Sequence, residues 1–334
     1  MFEAYRDITE IVQRKKELHC RSSFSFALAT KLSSKNVLLI DSDIRGTSLK
    51  SCFAKGDNNI PIYIEDKENK TFNDLIEASY IDWDDYVYKC TYQKKFEEVI
   101  VDENNGLTQK NNIDILFSSL DYNDKRKYLY NSDGNNTQKI SVERFNDRFK
   151  VIVNNLKNDS YKEYEHIIFD MSPSSDEYTE SMIETFKSLD ESMEFIHYII
   201  VTDDSAHMKA TEEYLKDLTN GSIRHMQNEK IVVVFNQTYP DSLFPNGENS
   251  NDFYKKKIEI FKDNLSNIMT INKSKLEEIN FLYCKFNEFY FHYVRDNKVN
   301  TTRNFEDFNI FQYNVDRNEL VEYSNDKFFK YKEK

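Results

Sequence analysis

The chain has 334 residues, with 45 Lys and Arg against 58 Asp and Glu, giving a formal charge of −13. That balance argues against a sequence-independent grip on nucleic acid, which needs cations to displace counterions from phosphates. With 39% apolar residues, including 25 Phe, 22 Tyr and 1 Trp, the chain can fill a sizeable core and is not a disordered one.

Residues 1–20 hold no apolar stretch of the signal-peptide kind. No run approaches the roughly eighteen apolar residues of a membrane-spanning helix. Cys20, Cys52, Cys90 and Cys284 lie far apart and form no CxxC pair, so reduced thiols in a cytoplasmic protein are expected. Glycine and proline number 6 and 4, about a quarter of average usage. The first glycine is Gly46, which bears on the N-terminal segment.

From Asp7 to Leu32 there is neither Gly nor Pro. The segment reads either as one long helix or as a weak strand (Ile8, Ile11, Val12), a loop and a helix. Phe24, Ala27, Leu28, Lys31 and Leu32 have helical spacing, and the run Val37 to Ile40 follows as a strand. Residues 57–112 are polar, with helical stretches near Thr71 to Ser79 and Tyr92 to Ile100, and read as an enlarged connection. Apolar runs recur at Ile113 to Phe117, Ile167 to Phe169, Tyr198 to Val201 and Ile231 to Phe235. Phe145, Phe149, Ile152 and Leu156 form a helical stripe before Ile167. Residues 121–139 and 240–252 are loop-like. Phe253, Ile258, Phe261 and Leu265 start a helical, aromatic-rich C-terminal part over 251–334. Alternating strands and helices predict an α/β fold: a mostly parallel sheet with helices on both faces, in one domain over 1–250 with that extension packed on it.

Function in such sheets gathers at the carboxyl ends of the strands. Here those ends carry Asp41-Ser42-Asp43, Asp170-Met171-Ser172, Thr202-Asp203-Asp204 and Asn236-Gln237. Carboxylates after two strands suit a Mg²⁺–phosphate site, though any single one also reads as a cap on the next helix.

This ordered set resembles the ParA/MinD class of P-loop ATPases, over about residues 14–240. "NVLLIDSDIRGTSLKSCF" is similar to the family's second strand and Asp-x-Asp, and "NNIDILFSSL" to the strand ending in a Pro-Ser-Ser-like turn. "YEHIIFDMSPSSDEYTESMI" resembles the Walker B strand and switch, and "KIVVVFNQTYPD" a later strand. The resemblance implies a three-layer P-loop NTPase-like fold, a homodimer or a protein partner, and ATP with Mg²⁺ as cofactors. It implies that Asp43 positions the attacking water, that Asp170 lies near Mg²⁺, that Asp41, the acidic position next to Asp43, is structural or metal-proximal, and that Asn236 meets the adenine.

The family's phosphate loop, Lys-Gly-Gly-x-Gly-Lys-Thr, falls on Lys16-Glu17-Leu18-His19-Cys20-Arg21-Ser22. Lys16 then matches the signature lysine, Arg21 the phosphate-loop lysine and Ser22 the Mg²⁺-binding threonine, but every glycine is replaced. Glycine permits positive φ and close approach of backbone N–H groups to phosphate. Forcing other residues into such conformations costs about 1–3 kcal/mol each, while a micromolar site is worth about 8 kcal/mol. The expectation is an ATP site that is weak or lost, and a switch or assembly subunit with weak or absent hydrolysis. A scaffold that binds a protein partner without nucleotide is the alternative, and an active partitioning-type ATPase a further one.

His19-Cys20 lacks partners at metal-ligand spacing, and His166 and His197 flank strands as structural residues. The block "INFLYCKFNEFYFHYV" reads as core before it reads as a stacking surface for bases. The tail "KFFKYKEK" is too short to hold a membrane by itself.

Overall fold

The computed structural model describes residues 24–30, 32, 36–45, 49–52, 62–64, 69–92, 111–121, 123–125, 140–158, 164–171, 177–188, 195–202, 205–220, 229–236, 250–268, 279–284, 310–314 and 319–322. They fall into two compact units, Met1–Ser188 with Phe289–Asp307, and Leu189–Glu288 with Phe308–Lys334. Each unit is α/β and has its own five-stranded sheet.

In the first unit, helix α1 (24–30) precedes strand β1 (Val37–Asp41). Strands β2 (Ile62–Ile64), β3 (Tyr88–Tyr92), β4 (Asn111–Leu116) and β5 (His166–Asp170) complete the sheet, in the order β2-β3-β4-β1-β5. β1 lies between β4 and β5 and is parallel to both. All five of its residues are buried. A strand covered on both faces needs a continuous apolar run, as Val37 to Ile40 provides. β3 and β2 extend this parallel trio as antiparallel strands.

The unit also holds helices α2 (Phe72–Glu77), α3 (Val142–Asn158) and α4 (Glu177–Lys187). α2 begins at a capping box, in which the Thr71 hydroxyl accepts from Asp74 N–H and Asp74 accepts from Thr71 N–H. Phe149 of α3 is the hub of the core. Its ring meets Phe72 at 6.5 Å, Phe169 at 5.8 Å and Phe186 at 5.4 Å edge-on, and stacks on Phe145 at 5.9 Å. One side chain thus joins α2, α3, β5 and α4.

The second unit pairs β6 (Phe195–Thr202), β7 (Glu229–Asn236) and β8 (Asn280–Cys284) in parallel. β9 (Ile310–Asn314) and β10 (Glu319–Glu322) follow antiparallel. Helices α5 (Ser205–Asn220) and α6 (Ser250–Ile268) belong to it. Tyr254, Ile258, Phe261 and Leu265, spaced four, three and four apart on α6, are buried in one cluster with Val233, Phe235, Phe281 and Tyr283. Tyr254 stacks on Tyr283 at 4.6 Å. Lys257 lies 5.0 Å above Phe253, and Asn264 Nδ2 donates to Glu212 Oε1 across α6 and α5.

The C-terminal part is helical in α6, but its aromatic block begins with the buried strand β8, and β9 and β10 follow. β6 and β7 share a sheet with β8–β10 within the second unit. The second helical stretch of the connection, beyond Tyr92, lies outside the described residues, as does everything before Phe24.

Candidate functional site: a buried acidic cluster at the end of β1

Asp41 and Asp170 are the last residues of two adjacent parallel strands and are register partners. The strands therefore deliver both carboxylates to one edge, with Asp43 two residues further on. All three are buried, Asp41 to 1% exposure.

Donors from three directions meet Asp41. Its Oδ2 accepts from Leu49 N–H at 2.7 Å, from the Ser118 hydroxyl at 2.8 Å and from Ser118 N–H at 3.3 Å. Its Oδ1 accepts from Asp43 N–H at 3.4 Å. Burial nevertheless pushes the carboxyl up to about 7, with the charges of Asp170 and Asp43 acting the same way and the Leu49 and Ser118 bonds opposing. Asp170 is held at both ends. Its carbonyl accepts from Ser42 N–H and from the Ser42 hydroxyl, both at 2.9 Å, and its Oδ1 accepts from the Ser25 hydroxyl at 3.0 Å. Ser25 sits on α1, so this bond ties the helix to the end of β5.

The turn after β4 closes over the cluster. Ser118 bonds Asp41, and Ser119 N–H donates to Asn73 Oδ1 at 2.9 Å. Ser119 Oγ donates to Asp124 Oδ2 at 2.8 Å. Lys125 follows, half-buried, and the charges of Asp43 and Asp41 favour its ammonium against the desolvation that lowers it. Arg45 points elsewhere: it pairs with Glu177 at 3.5 Å and lies 4.6 Å over the Tyr178 ring.

Of the residues expected from sequence, the structure brings Asp41, Asp43 and Asp170 together. Asn236 closes β7 in the second unit, in register with Thr202. Lys16, Arg21 and Ser22 lie outside the described residues. Sequence reasoning missed two participants. Ser25, three residues beyond Ser22, donates its hydroxyl to the Asp170 carboxylate; its signal was a polar residue inside a largely apolar, buried helix. Lys125 is about eighty residues from Asp41 and had no local signal.

Mg²⁺ demands near-octahedral oxygen ligands and keeps several waters beside one or two carboxylates. Asp41 does not fit that demand: three donors already converge on its Oδ2, and a carboxyl titrating near 7 is only partly charged at neutral pH. Among the described residues no three carboxylate, imidazole or thiolate groups are arranged to hold a metal ion. No helix among them is long and apolar enough to cross a membrane.

At this edge of an α/β unit, parallel strands end side by side in buried aspartates, with a helix hydroxyl against one of them. No family model matches the chain, and no curated protein does. Among solved structures it is similar to three proteins of the class that its sequence resembles. The septum site-determining protein MinD of Pyrococcus horikoshii OT3, solved with Mg-ADP, matches at 12% identity and a TM-score of 0.38, over 64% of each chain. The pNOB8 ParA structure matches at 15% identity and a TM-score of 0.44, over 78% of this chain and 70% of that one. The MinD cell division protein of Aquifex aeolicus matches at 14% identity and a TM-score of 0.35, over 74% and 72%. At these values the likenesses carry no residue's role into this chain.

Proposed function

We propose that this chain is a ParA/MinD-like nucleotide-binding-fold protein that acts as a switch or assembly subunit with weak or absent ATP hydrolysis. The observation that carries the reading is the state of Asp41, whose carboxylate is taken up by Leu49 and Ser118 of its own chain. A hydrolytic centre needs its acidic groups directed at metal or water. The replacement of the loop glycines by Glu17, Leu18 and Cys20 supports the same conclusion independently. In this reading Arg21, Ser22 and Asn236 retain what affinity for ATP remains, Lys16 and Asp43 occupy the positions of the catalytic groups, and Asp170 holds α1 through Ser25. The partner is a second copy of the chain or another protein, met in the cytoplasm.

The loss of those glycines also favours a second reading, a scaffold that binds its partner with no nucleotide. Thermal unfolding of the intact protein in millimolar ATP, with Mg²⁺ or with EDTA, separates them. A saturable rise in Tm that Arg21→Ala abolishes, without phosphate release, is the result expected of the switch. No rise selects the scaffold. Saturable phosphate release that Asp43→Ala abolishes overturns both.

A further inference from the structure

Asparagine is mostly an exposed residue and a poor helix former, yet Asn73 stands in the first turn of α2 at 1% exposure. An amide removed from water has to find partners for both its oxygen and its nitrogen. Here they come from two different turns. Asn73 Oδ1 accepts from Ser119 N–H at 2.9 Å, in the turn after β4. Asn73 Nδ2 donates to Ile44 O at 3.4 Å, in the turn after β1. One neighbour is a donor and the other an acceptor, which fixes the orientation of the amide.

The helix that carries it is held at both ends. Phe72 N–H donates to Phe117 O at 2.8 Å, and Arg148 of α3 donates to Ile76 O at 3.3 Å and to Ala78 O. The two turns that Asn73 joins are those that serve Asp41. Ser118, beside Ser119, bonds Asp41 Oδ2 through its N–H and its hydroxyl, and Asp43 N–H, beside Ile44, meets Oδ1. Ile44 N–H donates to Ser42 O at 2.9 Å, and Ser42 in turn grips the Asp170 carbonyl.

We propose that Asn73 is a positioning residue of the acidic cluster: its one amide clasps the turn that carries Asp43 to the turn that carries Ser118, so that α2 sets the arrangement around Asp41. The connection between β1 and β4 is then part of the site and not a spacer. The inference rests for its meaning on the reading of a switch or assembly subunit, because whatever displaces α2 loosens the cluster without touching it. Its test uses no nucleotide, so the two can fail separately.

The experiment is amide hydrogen exchange of the full chain, read at Ile44 N–H and Ser118 N–H, whose partners are Ser42 and Asp41 and not Asn73. Asn73→Leu keeps the bulk and loses both bonds. Both amides are then expected to exchange about tenfold faster, the scale of one buried hydrogen bond. Asn73→Asp, ionised above neutral pH, keeps the acceptor for Ser119 and loses the donor for Ile44. It is expected to free Ile44 by the same factor and to leave Ser118 within about threefold of wild type. Thr71→Ala weakens the start of α2 but not the clasp, and is expected to leave both amides close to the wild-type rate. Wild-type protection of Ile44 in either Asn73 variant overturns the proposal. So does equal loss at both amides in Asn73→Asp, or a Thr71→Ala variant that loosens both as far as Asn73→Leu does. If Asn73→Leu does not fold, Asn73→Asp decides alone: Ile44 freed with Ser118 protected supports the clasp, and any other pattern overturns it.

Discussion

Asp41 should make the protein less stable as pH rises from about 4 to about 7. The carboxyl titrates near 3.8 when unfolded and is raised to about 7 in the fold. Between those values the folded state keeps a proton that the unfolded state has released. The stability contributed by the neutral form is therefore fully present below the unfolded value and lost as pH passes through the folded one. A shift of about three units corresponds to about 4 kcal/mol, a large part of the 5–15 kcal/mol typical of a domain. The assay is urea unfolding from pH 4 to 8 of the wild type and of Asp41→Asn. The amide can keep its oxygen opposite Leu49 and Ser118 and does not titrate. Groups away from the cluster cancel in the difference, so wild-type stability minus variant stability should fall across the window by an amount on the order of 4 kcal/mol. A difference independent of pH would refute the reasoning, because Asp41 would then ionise in the fold as it does in water.

Ser118→Ala removes the hydroxyl bond to Asp41 and should cost about 1–3 kcal/mol in chemical denaturation. Phe149→Ala, which empties the hub of four aromatic contacts, should cost about 3–5 kcal/mol and destabilise the first unit. Thr71→Ala loses the cap of α2 and should cost about 1 kcal/mol, read by the same unfolding curves.

Strands with both faces covered were legible because their burial demands an uninterrupted apolar run. β1, β4 and β7 are buried in this way where Val37 to Ile40, Ile113 to Phe117 and Ile231 to Phe235 place them, and the half-buried β5 and β6 lie where Ile167 to Phe169 and Tyr198 to Val201 do. The antiparallel edges were not legible. In β3 (Tyr88–Tyr92) Tyr88 and Cys90 are buried and Lys89 exposed, an alternation too short to stand out from a polar connection. β8 was hidden for the opposite reason: Phe281, Leu282 and Tyr283 continue an aromatic block in which strand and helix periods look alike. At the site, position at a strand end sufficed to single out Asp41, Asp43 and Asp170. What each carboxylate touches depends on the turn after β4, which folds back over a long sequence separation. For that reason Ser118, which the sequence showed only as part of a Ser-Ser turn, gave no sign of its bond to Asp41.

The central claim is that the acidic cluster is satisfied from within the chain and does not drive ATP hydrolysis. Steady-state phosphate release by the purified full-length protein in millimolar ATP and Mg²⁺, beside Asp43→Ala, tests it most directly. Release at the background rate, unchanged in the variant, is the predicted result. Release that saturates with ATP and disappears in Asp43→Ala would contradict the account.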